Sequence, residues 1–217
     1  MIHGPRVVEY LGLPGVGKTW NLNSSGFRQR SGAIPSPVPP GWSAEKRSNM
    51  LRGIAQAPRL LLLLLWCSLS NWRSLNPRTS LRPILVVFER IGRISNLRVR
   101  SDEETHVDEG VLQFVWRTFS QLRMTERNHR LMEVCLGAIP RTVDMRVAYL
   151  ACPADLHRQR VISRGKASDF DLAIMRGDDD AHRRGRAWMA VLLCLARRRG
   201  LDIHFVGTVP ARRDPFA

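Results

Sequence analysis

Arg6-Val7-Val8-Glu9-Tyr10-Leu11-Gly12-Leu13-Pro14-Gly15-Val16-Gly17-Lys18-Thr19 is the stretch that decides the fold. Its first six residues form a short β-branched run of the kind that makes a strand. The eight that follow fit the phosphate-binding pattern G-x-x-x-x-G-K-[ST] at every fixed position. After Pro14 no proline occurs until Pro35, which leaves room for a helix, and strand, glycine loop and helix is the setting the pattern requires. Gly12, Gly15 and Gly17 let backbone N–H groups approach phosphate oxygens with no Cβ between them, and a helix start adds its positive dipole end. Lys18 is long enough to reach the β- and γ-phosphates, and the Thr19 hydroxyl suits Mg²⁺. Pro14 offers no donor and belongs on the outer side of the turn. The reading is a nucleoside triphosphate cradled by Gly12, Leu13, Pro14, Gly15, Val16, Gly17, Lys18 and Thr19, with Mg²⁺ on Thr19.

Downstream the pattern breaks. Ser31 to Trp42 carries four prolines and two glycines, an irregular insertion around residues 28–43 rather than a linker, because the parts on either side cannot form separate cores. Helices are expected over Ala44 to Gln56 and Pro58 to Leu75, the second containing the leucine run Leu60 to Leu65. At about ten apolar residues that run fits a buried helix better than a membrane span, which needs roughly eighteen. A basic stretch from Asn76 to Arg82 closes the region.

Two segments could supply an acidic partner for the loop. Ile84-Leu85-Val86-Val87-Phe88 followed by Glu89 reads as a strand ending in a carboxylate, yet Ile84, Val87, Ile91 and Ile94 also share one helical face, and both readings stay open. The second is Thr105-His106-Val107-Asp108-Glu109-Gly110. An aspartate at a strand end beside the loop can hold Mg²⁺ or take a proton from an acceptor hydroxyl, and the glycine lets the chain turn away. Asp108 is the favoured acid and metal ligand, with Glu109 as the alternative. A competing reading makes Asp108 and Glu109 the N-cap and acidic first turn of a helix, since Val111, Leu112, Val115, Trp116 and Phe119 follow at helical spacing.

Arg146 to Cys152 is a continuous apolar run of the sort buried on both faces of a parallel sheet, and Pro153 stops it. A helix with Arg158, Arg160 and Arg164 leads to Gly165. A long helix from Ala181 to Arg199 precedes a last strand at Ile203 to Val206. Alternating strands and helices imply an α/β chain with a mainly parallel central sheet and its ligand at the C-terminal strand ends. A length of 217 residues with 44% hydrophobic content suits one such domain over 1–217 and is short for two.

Charge excludes less than its size suggests. The net charge is +15, but lysine occurs only at Lys18, Lys46 and Lys166, and the arginines that carry the rest are spread along the chain without a basic block. With 7% aromatics for base stacking, a stable nucleic-acid partner is not favoured. The six histidines form no zinc-type cluster. Cys67, Cys135, Cys152 and Cys194 lie far apart with no C-x-x-C pair, and read as buried free thiols of a reducing cytosol. No apolar signal core opens the chain, so the expected location is cytoplasmic, with no membrane partner.

VVEYLGLPGVGKT, HVDEGVLQ and VAYLACPADLHRQRVISRGK together resemble the nucleoside and nucleoside-monophosphate kinases, in particular thymidylate-kinase-like members. The resemblance implies the three-layer α/β/α P-loop NTPase fold. It also implies a lid-like region around 160–184, where Arg160 and Arg164, in the spacing R-x-x-x-R-G, would stack on adenine or touch the transferred phosphate, with Arg183 or Arg184 behind them. Asp108 is followed by glutamate where thymidylate kinases have an aspartate-arginine acceptor motif, which implies a divergent acceptor. The activity implied is transfer of the ATP γ-phosphoryl group to a nucleoside-, nucleotide- or sugar-like acceptor, with Lys18, Asp108, Arg160 and Arg164 as catalytic residues. A homodimer is left open. The competing reading is a P-loop ATPase or nucleotide-dependent partner-binding module without such an acceptor. No N-K-x-D string for guanine occurs, which disfavours a GTPase.

Overall fold

Val7, Val8, Glu9, Tyr10 and Leu11 are all buried, which consecutive strand residues can be only where both faces of the sheet are covered. They belong to β1 (Arg6–Leu11), an inner strand of a parallel four-stranded sheet with β2 (Thr105–Asp108), β3 (Asp144–Leu150) and β4 (Asp202–Val206) in the order β2-β1-β3-β4. The computed structural model describes residues 6–13, 43–71, 77–97, 105–140, 144–163 and 169–206. Register runs from Val7 against Thr105 to Tyr10 against Asp108 on one side of β1, and from Arg6 against Asp144 to Leu11 against Tyr149 on the other.

Helices fill every described connection. Between β1 and β2 lie α1 (Ala44–Gln56), α2 (Pro58–Ser70) and α3 (Pro77–Leu97); between β2 and β3, α4 (Val111–Ser120) and α5 (Glu126–Gly137); between β3 and β4, α6 (Ala154–Ser163), α7 (Asp169–Met175) and α8 (Asp179–Arg198). Because β2 and β3 flank β1, the connection through α4 and α5 crosses β1. Chain order therefore reverses there, and in such sheets a ligand crevice opens at the C-terminal ends of the strands where the order reverses.

Local chemistry sets the helix ends. Ser43, Thr125 and Asp178 each accept from the N–H three residues on, at 3.3, 3.2 and 2.8 Å, which starts α1, α5 and α8. Pro58 opens α2, where its missing N–H has no partner to lose. The helices α1 and α3 approach closely because Gly53 meets the Phe88 backbone and Gly92 meets the Asn49 backbone, and a Cβ at either would overlap a carbonyl oxygen. Trp116 and Trp188 are fully buried and tie α4 to α8: the Trp116 indole donates to Gly185 O at 2.9 Å and the Trp188 indole to Leu122 O at 3.0 Å.

The strands and helices expected within the described residues are observed within a few residues, with the differences that follow, and the helix expected after the 12–19 segment lies outside the described residues. The run Ile84–Phe88 is helical throughout as part of α3, so Glu89 sits inside a helix and not at a strand end. That helix also runs through Pro83 and takes up most of the basic stretch expected to close the region. Thr105–Asp108 forms the expected strand although its composition is poor for one, because it pairs along β1. Gly110, and neither Asp108 nor Glu109, is the N-cap of α4. Finally, Cys67, Cys135 and Cys152 are buried free thiols but Cys194 is exposed on α8.

The leucine run packs as a half-buried helix, with Leu60, Leu64 and Cys67 in the core and Leu62, Trp66 and Leu69 exposed. Among the described residues no single helix is long and apolar enough to cross a membrane; α1 and α2 reach that length and apolarity only as a pair, bent by 98°. Apart from Ser43, the 28–43 insertion lies outside the described residues.

Candidate functional site

The sheet brings three chain turns to one edge: Gly12-Leu13 after β1, Asp108-Glu109-Gly110 after β2, and Ala151-Cys152-Pro153 after β3. Asp108 pairs with Tyr10, two residues before Gly12, and neighbouring strands lie about 5 Å apart, so Asp108 stands beside the start of the 12–19 segment. Pro14, Gly15, Val16, Gly17, Lys18 and Thr19 lie outside the described residues, as does Arg164.

The turn after β2 is strained. Glu109 has φ 61°, a left-handed conformation that a non-glycine residue rarely takes outside constrained turns. Its carboxylate reaches the Arg117 guanidinium at 3.8 Å, and Arg117 in turn lies over the Phe114 ring at 5.2 Å. Gly110 then enters α4 with no side-chain cap of its own.

The cap comes from another strand. Glu9, in the middle of β1 and fully buried, accepts from Leu112 N at 3.1 Å through Oε2 and from Gln113 N at 2.8 Å through Oε1. It thereby satisfies two otherwise orphaned donors at the start of α4 and places a carboxylate at the positive end of the helix. A Cβ on Gly110 would stand 2.5 Å from Glu9 Cδ and 2.6 Å from Oε2, so the glycine is what lets the carboxylate in. Burial pushes Glu9 up from 4.5 to about 7, against the opposing pull of the Gln113 and Leu112 N–H groups and the Arg90 charge.

Gln113 completes the link. Its Oε1 accepts from Gly12 N at 3.2 Å, so this donor at the start of the 12–19 segment anchors the chain to α4. The side chain is fully buried, and its Nε2 has no hydrogen-bond partner among the described residues.

On the far side of β1, two guanidinium groups converge on the turn after β3. Arg160 Nη1, from α6, lies 3.9 Å from Cys152 Sγ, and Arg186 Nη1, from α8, donates to Cys152 O at 3.4 Å. Burial raises the Cys152 thiol, while Arg160 and Arg186 pull it down. Within the region expected to be lid-like, His182 Nε2 lies 3.0 Å from Nδ1 of His157, just before that region, with the two rings stacked, Arg183 pairs with Asp180 on its own helix, and Arg184 Nε donates to Ser120 O at 3.4 Å. Glu89 is buried in α3 and faces Arg90 at 3.5 Å.

Of the residues singled out from sequence, Gly12, Leu13 and Asp108 are thus brought to one edge, and Arg160 stands at the neighbouring strand end. Glu9, Gln113 and Arg186 were missed. For Glu9 a signal existed, a carboxylate set between apolar residues in a strand expected to be buried. Gln113 and Arg186 act through contacts 101 and 34 residues away in sequence, which no local pattern encodes. No protein-family model matches the chain, and no curated protein matches it. The fold and these residues define its class: an α/β chain on a parallel four-stranded sheet with an acidic turn and two arginines at the strand ends.

Proposed function

We propose that the chain is a P-loop phosphotransferase of the three-layer α/β/α type, which moves the γ-phosphoryl group of ATP to a small nucleoside-, nucleotide- or sugar-like acceptor. One observation supports the reading above all: the parallel pairing of β1 with β2 sets Asp108 beside the strand that feeds GLPGVGKT, at the strand ends where such sheets bind ligands. The hard carboxylate oxygens of Asp108 suit Mg²⁺, and Asp108 with Thr19 would hold it. When bound, Mg²⁺ neutralises charge on the phosphates.

The chain's own residues do the rest. Backbone N–H groups of the 12–19 segment and Lys18 bind and orient the triphosphate, and Asp108 orients the metal or receives the acceptor proton. Arg160, beside Cys152 at the β3 end, would balance charge on the transferring group, and Arg186 shares that end. Positioning and charge neutralisation are where phosphoryl transfer gains most of its rate. We place the reaction in the cytoplasm, where ATP is at hand and free thiols persist.

The test is a screen for γ-phosphoryl transfer from ATP to a panel of nucleosides, nucleoside monophosphates and sugars, scored by phosphorylated product. A product with one acceptor class supports the proposal and names the substrate. Release of only ADP and free phosphate with every acceptor makes the chain an ATPase.

A further inference from the structure

Glu9 is a buried ionisable group that the phosphotransfer reading does not use, yet it ties β1 to the start of α4. Its two oxygens hold the N–H groups of Leu112 and Gln113, and Gln113 holds Gly12 N. Gly110, wedged against the same carboxylate, is two residues past Asp108. A single carboxylate therefore fixes the turn that carries Asp108 and, through one glutamine, the first residue of the 12–19 segment.

We propose that Glu9 is a positioning residue that holds Gly12 and the Asp108-Glu109-Gly110 turn in register, and that its protonation loosens this tie and lowers nucleotide affinity. The proposal rests on the nucleotide site proposed above. The physical reason is the count of acceptors. An ionised carboxylate can accept from both N–H groups at once, whereas the acid form turns one oxygen into a donor facing a donor. The α4 start then loses one of its two bonds, and Gln113 loses the constraint that aims its Oε1 at Gly12.

The surroundings leave Glu9 to decide. Among the described residues, its strand neighbours Val107 and Val147 are apolar, α4 presents backbone N–H groups, and the charged side chain whose field reaches it is Arg90 on α3. The placement of its ionisation at about pH 7 makes the change accessible near neutrality.

The test uses the ¹⁵N-labelled full chain. The amide resonances of Gly12, Leu112 and Gln113 are followed from about pH 5.5 to 8.5, and Mg²⁺–ATP affinity is measured over the same range for wild type and Glu9→Gln. Comparison at each pH cancels the titration of ATP itself. In wild type the three amides are expected to move together through one midpoint, and in Glu9→Gln none of them moves. Wild type binds about fivefold more tightly than Glu9→Gln at the alkaline end, the effect of one hydrogen bond, and the two converge at the acid end.

Gln113→Met cuts only the second link, so the amides of residues 112 and 113 still titrate and that of Gly12 does not; it carries the test alone if Glu9→Gln fails to fold. A Gly12 amide that ignores pH in wild type, or titrates equally in either variant, overturns the proposal. So does ATP binding with the same pH dependence in wild type and Glu9→Gln, which leaves the nucleotide reading standing. Wild-type chain whose amides titrate but which binds no ATP at any pH overturns the nucleotide reading and the proposal with it.

Discussion

Glu9 is a carboxylate enclosed by protein, with two backbone donors aimed at it, and its environment has a direct consequence for stability. Burial raises it from 4.5 to about 7, so the folded chain holds this proton more firmly than the unfolded one. Its contribution to stability is complete below about pH 4.5 and is lost as pH rises through about 7. The difference corresponds to roughly 3 kcal/mol. Urea denaturation of wild type and Glu9→Gln at about pH 4 and pH 8 should show wild type losing that much more than the variant between the two conditions. Equal losses would mean that the carboxylate is solvated. The form that caps α4 best is the charged form, which is also the less stable one, a conflict that sites accept where geometry matters more than stability. Asp108 makes a contrasting prediction. Asp108→Asn should reduce product formation at least tenfold while leaving ATP affinity and melting temperature nearly unchanged, because Gly110, and not Asp108, caps α4. Loss of stability without loss of activity would return Asp108 to a structural role. The strand-end position of Asp108 was legible in the sequence because an acid and a glycine sit close together there. Glu9 was legible only as an anomaly, since its partners are more than a hundred residues away.

At the scale of elements, what sequence could and could not decide follows from which forces set each one. The strand β1 and the helix α1 were readable to the residue, the one from its β-branched run and the other from a helix-compatible stretch closed before Pro58. The run Ile84–Phe88 is apolar at both the strand and the helix period, and only packing resolves it: Ile84, Val87, Ile91 and Ile94 are the buried stripe of α3. The strand β2 has one apolar residue in four and exists because β1 offers it a ladder, a tertiary cause that propensity does not contain. Contact between α1 and α3 depends on glycines whose importance is equally invisible locally. In an exposed helix Gly→Ala stabilises by about 1 kcal/mol. Gly53→Ala and Gly92→Ala should instead destabilise by about 1–3 kcal/mol each, because each added Cβ meets backbone and not a movable side chain. Thermal melts decide the sign, with a fall of several degrees expected for each variant and a rise in either showing that the two helices are not in contact.

At the scale of the whole molecule the question is what a chain of net charge +15 gathers its positive charge for. Several described arginines are engaged within the fold: Arg146 with Asp202, Arg158 with Asp179, Arg183 with Asp180, and Arg160 and Arg186 with the turn after β3. The proposed small anion and a polyanion held along an open face make different thermal-shift predictions. A ligand that binds only the folded state stabilises it by mass action, about 2.7 kcal/mol at a hundredfold excess over its dissociation constant. For a chain of this length that should raise the melting temperature by roughly 5–10 °C with Mg²⁺–ATP. Lys18→Ala should abolish both the rise and turnover, since Lys18 is the residue assigned to the β- and γ-phosphates. Duplex or single-stranded nucleic acid, by contrast, should give no comparable rise, and any that appears at low salt should vanish as salt increases, because release of condensed counterions drives it. A rise with nucleic acid that survives physiological salt, together with none from ATP, would show that the arginines serve a surface and that the loop in GLPGVGKT is incidental. A rise with ATP that Lys18→Ala removes would assign the binding energy to the loop, leaving the acceptor to the transfer screen.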